Sequence, residues 1–199
     1  MRSRTAPDGG GRCARCALKA SVCACALLPS LPVRTRFVIL RHAREADKSS
    51  NTARWAALLL PSCELRKWSG RPDVADLGDL GQPGDWLLFP GEPPPAGPER
   101  SVVTPERLVV LDGTWRQVRR MLRSLPALSG LPRLSVRPRP QRFGLRASPS
   151  PQHLSTLEAI ASAVALLEGE ALAVALDACH RELVARALSA RGRRLFEAA

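Results

Sequence analysis

Long apolar runs are missing from this 199-residue chain. None reaches the roughly 18 consecutive apolar residues that a membrane-crossing helix needs, so no membrane span is expected. The opening Met1-Arg2-Ser3-Arg4-Thr5-Ala6-Pro7-Asp8 has no apolar core of the kind secretory signals carry, which predicts a cytoplasmic protein. Glycine-rich phosphate loops are missing too. No G-x-G-x-x-G follows an apolar run, and no G-x-x-x-x-G-K-[ST] occurs. These absences disfavour a dinucleotide-binding Rossmann site, a P-loop ATPase and the glycine-rich methyltransferase variant of that fold. No internal repeat is visible.

Positive charge is what the chain has in excess, with 30 Lys and Arg against 18 Asp and Glu and a net charge of +12. The excess is segregated. Residues 1–36 carry seven basic and one acidic side chain, residues 100–150 carry eleven and two, and the remainder is slightly acidic. Such clustering is expected of a nucleic-acid footprint. Hydrophobic residues make up 45% and charged residues 24%, ordinary usage for a globular chain. The length suits one substantial core with a small appendage, here divided as an N-terminal extension over 1–35 and an α/β domain over 36–199.

Six cysteines in a chain expected to be cytoplasmic read as metal-binding or free rather than disulfide-bonded. Cys13 and Cys16 form a C-x-x-C pair, and Cys23 and Cys25 form a tighter C-x-C pair six residues later. Four thiols in 13 residues suit a closed, structural tetrahedral Zn²⁺ site. Cys63 and Cys179 are isolated and read as buried small hydrophobes.

Apolar runs predict strands at Arg36–His42, Cys63–Trp68, Trp86–Phe89 and Leu108–Leu111, with a weaker one over Arg133–Val136. Asn51-Thr52 caps a helix that points Trp55, Leu58 and Leu59 inward. Ser155 and Glu158 have capping-box spacing before a second helix, and a third runs from about Ala171 to Ala190, with Gly192 past its end. Strand and helix signals alternate, so the expected class is α/β with a mostly parallel sheet flanked by helices. Prolines cluster between residues 90 and 151, and a basic, proline-broken loop carries Arg137, Arg139, Arg142 and Arg146.

The Leu108–Leu111 strand ends at Asp112-Gly113-Thr114-Trp115, and a two-faced helix follows. Val118, Met121, Leu122 and Leu125 share one side, and Arg116, Arg119, Arg120 and Arg123 share the other. No acid sits among those arginines, and like charges at that spacing repel. A polyanion that neutralises them is a more economical account than a solvated face. The turn itself lies where open α/β sheets bind ligands, outside the carboxyl ends of strands. Asp112 reads either as a functional carboxylate or as a cap on the next helix. Thr114 serves substrate or turn, and Trp115 stacks on a base or packs.

The Asp112-Gly113-Thr114-Trp115 block resembles the D-x-T-W signature of DTW-domain proteins, tRNA-uridine aminocarboxypropyltransferases. Other blocks are similar and in the same order: the four cysteines, His42 with Glu45, Asn51-Thr52, Phe89-Pro90-Gly91, and Ser155-Thr156 with Glu158-Ala159. Together they cover about residues 13–168. The resemblance implies an enzyme that moves the 3-amino-3-carboxypropyl group of S-adenosylmethionine to N3 of a uridine in tRNA, releasing methylthioadenosine. It also implies a SPOUT-like fold with a knotted C-terminal cofactor site. In that scheme Asp112, Thr114 and Trp115 are catalytic, with Asp112 the candidate base for the N3 proton. Phe89, Pro90, Gly91, Ser155, Thr156 and Glu158 bind the cofactor, the last three at a helix N-terminus that offers donors to a carboxylate. His42, Glu45, Asn51, Arg116, Arg119, Arg120, Arg123 and Arg146 meet the tRNA.

Two other readings share some of these features. A non-catalytic zinc-containing RNA-binding protein explains the charge and the cysteines but gives Asp112 and the Ser-Thr-x-Glu block no purpose. A SPOUT-type RNA methyltransferase uses the same cofactor and differs only in which carbon faces the nucleophile.

Overall fold

The computed structural model describes residues 11–70, 77–91, 104–140, 145, 153–193 and 195. Its centre is a five-stranded sheet of β1 (Arg36–His42), β2 (Cys63–Trp68), β3 (Asp85–Leu88), β4 (Arg107–Asp112) and β5 (Arg133–Leu134). The spatial order is β2-β1-β4-β3-β5, and every pairing is parallel. β4 is buried along its whole length, as its unbroken apolar run requires. The helices are α1 (Thr52–Leu59), α2 (Trp115–Ser124), α3 (Pro126–Ser129), α4 (Thr156–Glu168) and α5 (Glu170–Ser189).

Alternation along the strands divides the interior into two cores. Phe37, Ile39, Leu108 and Val110 face α1, α4 and α5 through Trp55, Ile160 and Leu176. Val38, Leu40, Val109 and Leu111 face α2 and α3 through Val118, Met121 and Leu128. Each such buried side chain contributes about 1.5–3 kcal/mol relative to exposure. The cysteine-bearing segment joins the first core through Cys16, Leu18, Ala24, Leu31 and Val33. Two side chains of α1 hold it there. Trp55 Nε1 donates to the Cys16 carbonyl at 2.9 Å, and Arg54 Nη1 donates to the Ala14 carbonyl at 3.1 Å.

At the amino ends of the central strands, Arg107 lies between Asp85 (2.7 Å) and Asp79 (2.5 Å). Asp85 also accepts the Gly81 and Gln82 amides, which brings a buried carboxylate close to full satisfaction. This ionic cluster sits at the opposite end of β4 from Asp112.

Element boundaries differ from the pattern in small ways. β3 starts one residue early, at Asp85, and α5 covers Glu170–Ser189. β5 keeps only two residues because β3 offers two partners, Leu87 opposite Arg133 and Leu88 opposite Leu134. Cys63 and Cys179 are half-buried, packed against the core rather than sealed in it. No described helix is long and apolar enough to cross a membrane.

Candidate active site and metal centre

Asp112 ends β4 and is 5% exposed. Its Oδ2 accepts from Asn51 Nδ2 at 2.5 Å, and its Oδ1 accepts from Thr156 Oγ1 at 2.5 Å. Asn51 is meanwhile the N-cap of α1, its Oδ1 accepting the Arg54 amide. Thr52 Oγ1 accepts the Leu157 amide at 3.4 Å, so α1 and α4 also meet directly. One carboxyl group therefore ties the carboxyl end of the central strand to the starts of two helices. Burial raises its pKa, and the bonds from Thr156 and Asn51 work against that rise.

The cap of α2 is Thr114, not Asp112. Thr114 Oγ1 accepts the Gln117 amide at 3.3 Å, and Gln117 Oε1 accepts the Thr114 amide at 2.6 Å. This reciprocal box is worth about 1 kcal/mol to the helix. Gln117 Nε2 in turn lies 3.5 Å from His42 Nδ1, which also accepts the Arg44 amide at 3.1 Å. Two donors on Nδ1 fix the neutral tautomer with the proton on Nε2. Burial and the nearby Arg44 lower the His42 pKa, favouring the neutral ring. Its edge meets Trp68, with centroids 5.2 Å apart. Glu45 is buried and bonded to Lys48 at 2.5 Å.

A cleft opens at the carboxyl ends of β3, β4 and β5. Phe89, Pro90, Trp115, Leu134, Ser155 and Thr156 line it. Trp115 is flanked by Phe89 at 5.7 Å and His153 at 4.9 Å. Arg133 lies over the Phe89 ring at 5.4 Å and donates to the Pro90 carbonyl at 3.3 Å. A Cβ at Gly91 would stand 2.6 Å from Arg133 Cδ, so any larger residue here requires the Arg133 side chain to shift. The apolar and aromatic walls, with the Ser155 and Thr156 hydroxyls at one edge, suit a flat heteroaromatic group with a polar arm.

Ser155 and Glu158 are absorbed by their own capping box: Ser155 N donates to Glu158 Oε2 at 2.7 Å, and Glu158 N donates to Ser155 Oγ at 3.3 Å. Glu158 is buried and does not reach the cleft. With Leu157 N given to Thr52, the first turn of α4 holds few free donors.

The four N-terminal cysteine sulfurs all lie within 4.8 Å of one another. Cys13 Sγ is 3.7 Å from Cys25 Sγ, and Cys16 Sγ is 3.7 Å from Cys23 Sγ. A tetrahedron of sulfurs about 2.3 Å from a central ion has edges of about 3.8 Å, so this cluster could hold a metal. Burial opposes ionisation of Cys13, yet backbone bonds from Cys16 and Arg15 bring its thiol down to about 7.

Arg116, Arg119, Arg120 and Arg123 are all exposed on the outer face of α2, and among the described residues no acid pairs with them. Arg146 lies outside the described residues. Arg139, on the basic loop, is committed to the fold, pairing with Glu170 at 2.7 Å and Asp177 at 2.8 Å. Several site residues had no sequence-level role. Gln117 was legible as the fourth residue of a Thr-x-x-Gln box; Arg41, Arg133 and His153 carried no signal of their own.

The fold and site define an all-parallel α/β protein with a ligand cleft at the sheet's carboxyl edge and a four-thiol cluster bolted behind it. The DTW domain profile matches residues 10–188, and the chain belongs to that family. It is 31% identical over 172 residues to "tRNA-uridine aminocarboxypropyltransferase 2" of Drosophila melanogaster, covering 81% of this chain and 68% of the fly protein. It is 28% and 30% identical to proteins of the same name from Macaca fascicularis and Mus musculus, covering 78% of this chain in each case. The chain spans little more than half of those two, 56% of each. No solved structure matches it.

Proposed function

We propose that this protein is a tRNA-modifying transferase that moves the aminocarboxypropyl group of S-adenosylmethionine to N3 of a uridine. The observation that carries this reading is the convergence of Asn51, Asp112 and Thr156 beside an aromatic cleft, in a chain whose relatives are named for that activity. In the reaction, uridine N3 loses its proton and bonds to the carbon next to the sulfonium. The carbon–sulfur bond breaks, sulfur keeps the electron pair, and methylthioadenosine leaves.

Within this reading, Phe89 and Trp115 hold the adenine, with Pro90 and Gly91 supplying backbone beside it. Ser155 and Thr156 edge the same cleft, and Glu158 serves by fixing the start of α4. Thr114 keeps the catalytic turn in shape. Asp112 accepts two hydrogen bonds that hold the site together, one on each oxygen, and its remaining lone pairs stay open to take the N3 proton. His42, with Nε2–H available, meets the uracil, while Glu45 and Asn51 support that edge. Arg116, Arg119, Arg120, Arg123 and Arg146 face tRNA phosphates. Cys13, Cys16, Cys23 and Cys25 hold a structural Zn²⁺. The reading includes a SPOUT-like relation with a C-terminal knot. The all-parallel sheet supports it.

The test is incubation of the protein with tRNA and S-adenosylmethionine, followed by mass spectrometry of the nucleosides. A uridine heavier by one aminocarboxypropyl group is the expected product. A methylated base would support the methyltransferase alternative. No modified base and no S-adenosylmethionine binding would leave an RNA-binding protein.

A further inference from the structure

Arg41 stands next to Asp112 across the β1–β4 pairing, one strand away from the cleft. Strand alternation puts it on the same sheet face as Phe37 and Ile39, the face covered by α1 and α4. Its Nε and Nη1 are buried and have no hydrogen-bond partner. A guanidinium has no acceptor and cannot shed its proton, so two buried donors without partners are costly. The charges around it do not solve this. Asp112 lies close but makes its hydrogen bonds with Asn51 and Thr156 rather than with Arg41, and Asp47 also acts on Arg41 without bonding to it. Arg54 is close too, and it adds positive charge while its own Nη atoms are given to the Ala14 and Ala46 carbonyls. Two guanidinium donors of Arg41 are therefore left without an acceptor.

The cleft points to which acceptor. A bound S-adenosylmethionine has one negative group, the α-carboxylate of its amino-acid arm. The first turn of α4, the obvious receptor, has spent its second and third amides on Thr52 and Ser155. Thr156 lines the cleft and bonds Asp112, and Arg41 is the next residue beyond Asp112 on the sheet. RNA phosphates are better met on the other side, where α2 presents its arginines from the opposite sheet face.

We propose that Arg41 is the receptor for the α-carboxylate of S-adenosylmethionine. This rests on the transferase reading above and adds a residue which that reading does not contain. The carboxylate anchor would hold the amino-acid arm extended past Thr156 and Asp112, leaving the carbon beside sulfur facing the open site.

Calorimetry with three probes tests it: S-adenosylmethionine, its decarboxylated analogue, and methylthioadenosine. The wild type is expected to bind S-adenosylmethionine about ten- to a hundredfold more tightly than the decarboxylated analogue. Arg41→Gln should lose that discrimination while binding methylthioadenosine as before, and Arg41→Lys should recover part of it. Three outcomes overturn the proposal while leaving the transferase reading intact. One is a Gln variant that still discriminates. Another is a Gln variant that weakens all three probes equally, which would make Arg41 a shaping residue only. The third is a Gln variant unchanged toward S-adenosylmethionine but weaker toward tRNA, which would assign Arg41 to a phosphate. Should Arg41→Gln fail to fold, a wild type that prefers neither sulfonium overturns the proposal alone. A wild type that binds none of the probes overturns the transferase reading and this inference together.

Discussion

The Asp112 carboxyl accepts the Thr156 hydroxyl at 2.5 Å across 44 residues of chain, and its other oxygen holds Asn51. A strand end and two helix starts meet on a single buried group. Asp112→Asn keeps the shape but turns one acceptor into a donor, which either meets the Asn51 amide or forces the Thr156 hydroxyl to reverse its hydrogen bond. It should cost about 1–3 kcal/mol of stability and remove most activity, measured by denaturant unfolding and tRNA modification together. Thr156→Val should lose less, since only one bond goes.

The same group sets a pH dependence. Burial raises the Asp112 pKa, so folding favours its protonated form. Its favourable contribution is complete below the ordinary carboxyl value of 3.8 and is lost as pH climbs through the raised value. The Asn variant has no such titration. The stability of the wild type relative to Asp112→Asn should therefore fall as pH rises above the ordinary carboxyl value of 3.8. A difference that grows with pH would mean the folded carboxylate is stabilised rather than penalised.

Metal at the four-cysteine cluster should be read directly. One Zn²⁺ per chain is expected from metal analysis, and Cys13→Ser should lose it. Because Trp55 and Arg54 bond the backbone at Cys16 and Ala14, stripping the metal should also loosen α1 and the Asn51 cap. Hydrogen exchange of α1 amides checks this: faster exchange after chelation is the expected result.

The α2 arginines should bind through phosphate. Replacing Arg116, Arg119, Arg120 and Arg123 by Gln is expected to weaken tRNA binding and flatten its salt dependence, by about 0.7–0.9 in log–log slope for each phosphate no longer neutralised. Stability should hardly move, since all four are exposed and like-charged. An unchanged slope would make the stripe a solvated face.

Arg107 anchors the far end of β4 and should behave differently. Arg107→Met leaves Asp85 buried without its partner, at a cost of about 3–5 kcal/mol, while the cleft chemistry of whatever folds is preserved. Thermal unfolding against specific activity separates the two effects.

Local chemistry was legible in the chain; long-range convergence was not. The unbroken apolar runs at Phe37–Leu40 and Leu108–Leu111 already describe strands covered on both faces, and Ser155 with Glu158 marks the start of α4. Asp112 was visible as a strand-end acid, yet its partners come from 61 residues before and 44 after, beyond the reach of any spacing rule. It therefore resembled a helix cap, a duty that Thr114 performs with Gln117. Arg41 carries no sequence signal of its own, because only the folded sheet shows that its Nε and Nη1 find no acceptor. Arg139 looked like part of an RNA-facing loop, because Glu170 and Asp177 meet it only after α5 has docked.

The most direct test of the transferase reading follows two isotopes at once. S-adenosylmethionine labelled in its carboxyl carbon and, separately, in its methyl group is incubated with the protein and tRNA. The carboxyl label should pass to uridine in the tRNA, while the methyl label should remain on methylthioadenosine. Methyl label on the tRNA, or neither label transferred by protein that binds both substrates, would contradict the account.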